Sequence, residues 1–316
     1  MAGGADLEGT LEMTSAATAG PSSKAGPRRT PPLQSSAALA IPACIVVVAA
    51  LLVPLAYVLL LSLNRSAPGV VDLNGSFTLA NYTRFLSSSF YLRVLGKTVY
   101  LAAMTTALCA TFGSILALAI WRAPARFRGL IIIVVISPLL VSIVTRTFGW
   151  MIVLGDNGLI NTTLMTLGVI RTPLHLMFTD GAVIVGLLHV FLPLMVLPIL
   201  TALDRIDPNV PQAANTLGAG RFTTATQVIL PLATPGLVSG ITIVFSLAMS
   251  SYITPALMGG PDSGMITTLI YQQFVVTFNW QFGAVLVAIL LAVSLMLVGA
   301  ILFETGRRTR KWMVRR

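Results

Sequence analysis

QAANTLGAGRFTTATQVILP, residues 212–231, lies between two apolar runs that are each long enough to cross a bilayer. Just upstream, "DPNVP" at 207–211 is a turn and helix-start signal. An Asp side chain accepts the free amides of a first helical turn, and proline fits the first helical position. "QAANTLGAG" then offers mostly small side chains over about two turns, so another surface can come close. Gly218 and Gly220 interrupt that helix, "RFTTATQV" starts a second, and Pro231 marks the entry into the next apolar run. Two short helices at an angle, small on the outside, make a knob, and a knob suits a socket on a partner.

The rest of the chain fixes where that knob sits. Of 316 residues, 56% are hydrophobic and only 9% charged, with a mean hydropathy of +0.89. A soluble domain carries about a quarter charged residues, so this chain has too little polar surface to cover a body facing water. Six apolar runs are read as spans, at roughly 38–63, 95–120, 129–154, 182–203, 233–258 and 283–303. Continuous runs of that length exclude a β-barrel, whose strands alternate over about ten residues. The expected fold is therefore an all-α polytopic membrane protein with six transmembrane helices. Residues 1–37 are rich in Gly, Ala, Ser, Thr and Pro and read as a disordered tail. The membrane domain covers 38–305, and 306–316 is a basic tail.

The net charge of +10 does not point to nucleic acid, because the cations cluster beside the spans. Lys24, Arg28 and Arg29 precede span one, and Arg122, Arg126 and Arg128 follow span two. Arg205 and Arg221 follow span four, while Arg307, Arg308, Arg310, Lys311, Arg315 and Arg316 follow span six. The opposite side holds Arg65, Arg84, Arg93, Lys97 and Arg171. By the positive-inside bias both termini are cytoplasmic, and so is the 204–231 loop. Cys44 and Cys109 lie inside apolar runs and read as buried structural thiols.

With a cytoplasmic loop of this pattern before the second-last span, the chain resembles the permeases of binding-protein-dependent ABC importers. Their EAA loop reads Glu-Ala-Ala, three residues, Gly, nine residues, Ile, one residue, Leu-Pro. Gln212, Ala213, Ala214, Gly218, Val228, Leu230 and Pro231 keep that spacing, with Gln for Glu and Val for Ile. Gln212 lacks the charge for an ionic contact but leaves the docking shape intact. "SPLLVSIVTRTFGWMIVLGDNGLIN" (137–161), "FLPLMVLPILTALDRIDP" (191–208) and "SSYITPALMGG" (250–260) resemble the polyamine-type branch.

The resemblance implies a MetI-like, type I importer permease fold in the bacterial inner membrane. It implies that the 212–231 loop couples the chain to an ABC ATPase present in two copies. A second permease subunit, a paralogue, and a periplasmic solute-binding protein complete the assembly. ATP and magnesium would be bound by the ATPase, leaving this chain without a cofactor or catalytic role of its own.

Residues that could touch solute are fewer. Arg146 is a charge inside span three, which marks either a functional group or one paired structurally. At about 25 Å along a straight helix from 129 it would snorkel outward, pair with Asp156 or Asp180, or line the passage. Trp150 shares its face and suits a cation–π contact with solute or an interfacial belt. Ser250, Ser251, Tyr252 and Thr254 form a polar patch in span five before Pro255, either bonding helices together or lining the passage. Many polyamine-branch members carry an acidic residue near Ser250, and this chain has none there. Polyamines lead as the solute class, with opines, amino-phosphonates and other small zwitterions as alternatives.

Other chemistries find no support. "LGKT" at 95–98 lacks the first glycine of a phosphate-binding loop, because position 91 is Tyr. His175 and His189 are too far apart for a metal motif, and His189 reads as a helix–helix hydrogen bond. An ion-coupled carrier would need carboxylates within the spans, and only Glu304 stands even at a span edge.

Overall fold

A computed structural model describes residues 33–64, 77–260 and 264–314. The tail expected over 1–37 lies outside these residues up to position 32, and helix α1 (Leu33–Ser62) already begins at Leu33. The chain divides into two units, 1–53 and 54–316. In the first, Ile45 to Val48 and Leu51 to Val53 all expose their side chains. A helix apolar on every face is built for lipid or a partner rather than water. Cys44 is exposed there, contrary to the expectation of a buried thiol.

The second unit continues with α2 (Ala80–Ser87), α3 (Ser89–Arg122), α4 (Ala125–Leu140), α5 (Ile143–Leu154), α6 (Leu159–Thr166) and α7 (Asp180–Leu203). Two short loop helices follow, α8 (Asn209–Thr216) and α9 (Arg221–Leu232). Then come α10 (Thr234–Met249), α11 (Ile253–Met258), α12 (Ile266–Val276) and α13 (Trp280–Val314). Cys44–Ser62, α3, α7 and Trp280–Thr305 are long and apolar enough to cross a membrane unbroken. The remaining two spans are bent pairs. Ala125–Leu140 and Ile143–Thr166 meet at 98°, and Arg221–Leu232 and Thr234–Met249 at 67°.

Span three is therefore not the straight helix expected over 129–154. Pro138 removes an amide donor, α4 ends on a 3.4 Å bond from Val141 N to Pro138 O, and Val141 and Ser142 turn extended. Span five also stops early. It breaks after Met249 and restarts as α11, whose first turn holds Pro255, a place where proline is tolerated.

The core lies where α3, α7 and α10 pack together. Hydrocarbon is as apolar as leucine, so close backbone approach holds these helices rather than the hydrophobic effect. Met195 of α7 is the fitted piece. A Cβ on Gly113 of α3 would lie 2.7 Å from its Cγ, and a Cβ on Gly240 of α10 would lie 2.6 Å from its sulfur. Cys109, buried here, points its thiol at Leu188 O, 3.9 Å away.

The loop after the third span is held by one side chain. Buried Asn161 donates to Gly155 O at 3.1 Å and Leu174 O at 3.0 Å, and accepts from Leu174 N at 2.8 Å. Three residues earlier, a Cβ on Gly158 would meet Ile152 O at 2.5 Å. That geometry accounts for a Gly-x-x-Asn sequence at this place. Asn161→Ala removes all three bonds to part-buried backbone groups and is expected to cost about 1–3 kcal/mol, read as a lower melting temperature in detergent.

Candidate functional site

The knob is built as its residues dictate. Asp207 Oδ1 accepts from Asn209 N at 2.8 Å, so the carboxylate caps the first amide of α8, and Pro208 stands immediately before the helix rather than inside it. At the other end Ala219 N bonds Ala214 O and Gly218 N bonds Asn215 O, both at 3.0 Å. This paired closure needs a left-handed residue at its corner, and Gly218 supplies it with φ of +84°. A Cβ at Gly218 would touch nothing within 4 Å, so the glycine is required by its backbone and not by crowding. The second helix, α9, carries a π turn over Thr224–Ile229 before its Leu230–Pro231 end.

The motif residues divide into two groups. Gln212, Ala213, Gly218 and Pro231 are exposed, while Ala214, Val228 and Leu230 are half-buried and hold the helices in place. Between them the sequence reading missed the largest feature of the knob. Leu217 is 87% exposed and Phe222 82% exposed, one on each side of Gly218-Ala219-Gly220-Arg221. Two big apolar side chains at the tip of a polar loop are anchors for a partner surface.

At the opposite end of the bundle, α5 and α11 pack on each other and on the first half of α7. The two broken spans thus meet there, and broken helices at membrane depth occur where backbone lines a passage or is covered by protein. Arg146 does not pair with Asp156 or Asp180. Asp156 contacts His175 at 3.3 Å, and Asp180 contacts Lys97 at 3.0 Å. Arg146 Nη2 donates instead to Val141 O at 2.6 Å, satisfying the carbonyl that the bend sets free. The bend also removes the straight-line reasoning that put Arg146 near the outer interface. Trp150 Nε1 donates to His189 Nδ1 at 2.9 Å, a bond between α5 and α7. That makes His189 an acceptor at Nδ1 and fixes the proton of its neutral form on Nε2.

The polar patch of span five disperses. Ser250 Oγ bonds back to Ser246 O at 3.1 Å, and Ser251 O accepts from Thr267 Oγ1 at 2.6 Å. Thr254 is buried, with its methyl 2.6 Å from where a Cβ on Gly186 would stand. Ser250 is exposed, and of the four only half-buried Tyr252 lines a cavity. It stacks on Tyr271 with ring centres 4.7 Å apart, in the wall of a cavity of about 730 Å³. Arg93 and Lys97 of α3 line the same cavity. Their one-turn spacing against the charge bias was the available signal for them.

Residues 109–308 match the family model described as the binding-protein-dependent transport system inner membrane component. The chain belongs to that family. The permease is 36% identical over 208 residues to the spermidine/putrescine transport system permease protein PotB of Escherichia coli K12, covering 66% of this chain and 75% of that one. It is 26% identical over 223 residues to a putative 2-aminoethylphosphonate transport system permease protein, PhnU, of Salmonella typhimurium, covering 70% and 78%. A crystal structure of a bacterial alginate ABC transporter, in complex with its alginate-bound periplasmic protein, shares the permease fold. The TM-score is 0.74 at 17% identity, over 87% of this chain and 95% of that chain. The permease is thus an integral inner-membrane subunit of an ABC importer with the MetI-like helical fold.

Proposed function

We propose that the permease passes a small amine-bearing solute from a periplasmic binding protein to the cytoplasm, driven by two copies of an ATPase docked on the 212–231 knob. A second permease, a paralogue, would complete the passage. ATP and magnesium would sit in the ATPase, and this chain would carry no cofactor. Both termini and the 204–231 loop would face the cytoplasm. The observation that carries the coupling reading is the knob itself. It is capped by Asp207, cornered by Gly218, and shows Leu217 and Phe222 to the outside. ATP-driven closure of the nucleotide-binding pair would push on that knob. Movement would pass through α9 into α10, which packs on α3 and α7. The broken spans at the far end would open and reclose around the solute.

Polyamines are the first solutes to try, because the relatives at 36% identity are named for spermidine and putrescine. The relative named for 2-aminoethylphosphonate keeps amino-phosphonates next. The test is ATP hydrolysis by the reconstituted importer with its binding protein, across polyamines, opines, amino-phosphonates and amino acids. Several-fold stimulation by one amine-bearing class is the expected result. Hydrolysis indifferent to every solute and to the binding protein would remove the importer reading.

A further inference from the structure

The cavity beyond the knob carries a charge that importing an amine does not explain. Arg93 and Lys97 stand one turn apart on α3 and both line it. Lys97 Nζ is held 3.0 Å from Asp180 Oδ1, which gives it an acidic partner. Arg93 is exposed, and only its Nε has a bond, to Ser89 O at 3.3 Å. Among the described residues no carboxylate lines the cavity. Asp156 is engaged with His175, Asp204 with Arg128, and Asp207 caps α8. Among the described residues, Arg93 is thus the cavity-lining charge with no acidic partner.

Cations at this end of the spans run against the chain's own orientation signal, so each is expected to have a use. Arg84 has a structural one, with its guanidinium 4.8 Å from the Phe282 ring centre. Arg93 has no such contact. Across the cavity stand the stacked rings of Tyr252 and Tyr271. A guanidinium matches the paired oxygens of a carboxylate or phosphonate, and a tyrosine face attracts an ammonium group. A volume of about 730 Å³ is in the range of small-molecule sites.

We propose that this cavity binds the acid group of a small zwitterion at Arg93, beside the Lys97–Asp180 pair, with the amine turned toward Tyr252 and Tyr271. The proposal rests on the importer reading and narrows its solute to amines that also bear a carboxylate or phosphonate. A di- or triamine finds no described counter-charge in this wall and meets Arg93 as a repulsive neighbour.

The test is direct binding of 2-aminoethylphosphonate, glutamate and putrescine to the complete importer, reconstituted without its binding protein. The two acids are expected to bind and putrescine not to compete. Arg93→Gln should weaken acid binding at least about tenfold, and Arg93→Lys should restore part of it. Asp262→Asn, in the 261–263 segment outside the described residues, should leave the preference for acids in place. The proposal is overturned if neither acid binds, if putrescine binds as tightly, or if either Arg93→Gln changes nothing or Asp262→Asn abolishes the preference. It also falls if Arg93→Gln weakens docking of the solute-free binding protein instead, because the charge would then serve an acidic side chain of that partner. Failure of the importer reading itself shows separately, as wild-type ATP hydrolysis that the binding protein does not stimulate.

Discussion

Leu217→Asp combined with Phe222→Asp is expected to reduce ATPase capture by the permease at least about hundredfold. Both side chains are almost wholly exposed, at 87% and 82%, so the fold gives up little when they change. A partner's groove gives up much more. Apolar and aromatic anchors at the centre of an interface contribute about 2 kcal/mol or more each, and about 2.7 kcal/mol already amounts to a hundredfold change in affinity. Aspartate adds a desolvated charge to that loss. Co-purification of a tagged permease with its ATPase gives the readout, and membrane insertion serves as the control. Thr226→Asp is the matched comparison, because Thr226 is exposed on α9 and is not one of the tip anchors. Wild-type capture by the double variant would mean the knob does not dock through its tip.

The second large effect is steric. A Cβ on Gly236 would lie 2.4 Å from Pro198 O, 2.6 Å from Ala202 Cβ and 3.0 Å from Ile199 Cα. Two of those three atoms are α7 backbone, which cannot rotate aside as a side chain can. Gly236→Leu must push α10 off α7, the helix pair in which Met195 of α7 also fits against Gly240 of α10. Destabilisation of about 3 kcal/mol or more is expected, seen as poor accumulation and a lower melting temperature in detergent. Gly299→Leu on α13 is the contrast, because a Cβ there meets nothing within 4 Å. Equal stability of the two variants would show that the α7–α10 contact is looser than these distances require.

Gly236 and Gly240 also show what was available in the sequence and passed over. "GLVSG" at 236–240 is a small-x-x-x-small pattern of the kind that lets membrane helices approach closely. Hydropathy identified the run as a span but did not say which face packs. The unbroken spans were legible because an apolar run of twenty residues has one cheap solution in lipid. The knob was legible because Asp207, Pro208 and Gly218 each impose a local backbone geometry. The bend at Val141–Ser142 was not, because those residues fit an apolar helix as well as the turn between two. The cavity was hidden for another reason. It joins residues near 93, 252 and 271, and no local pattern links positions so far apart.

The π turn over Thr224–Ile229 sets an angle. A single wide turn amounts to one extra residue in an otherwise α-helical run. Each residue of an α-helix turns the chain by about 100°. Everything before that turn, with Phe222 at its tip, is therefore rotated by about that much relative to the Leu230–Leu232 turn that leads into the 67° bend before α10. The drive train from knob to span has its phase written in residue count. A shortened or lengthened loop could keep every motif residue and still aim its anchors at the wrong wall.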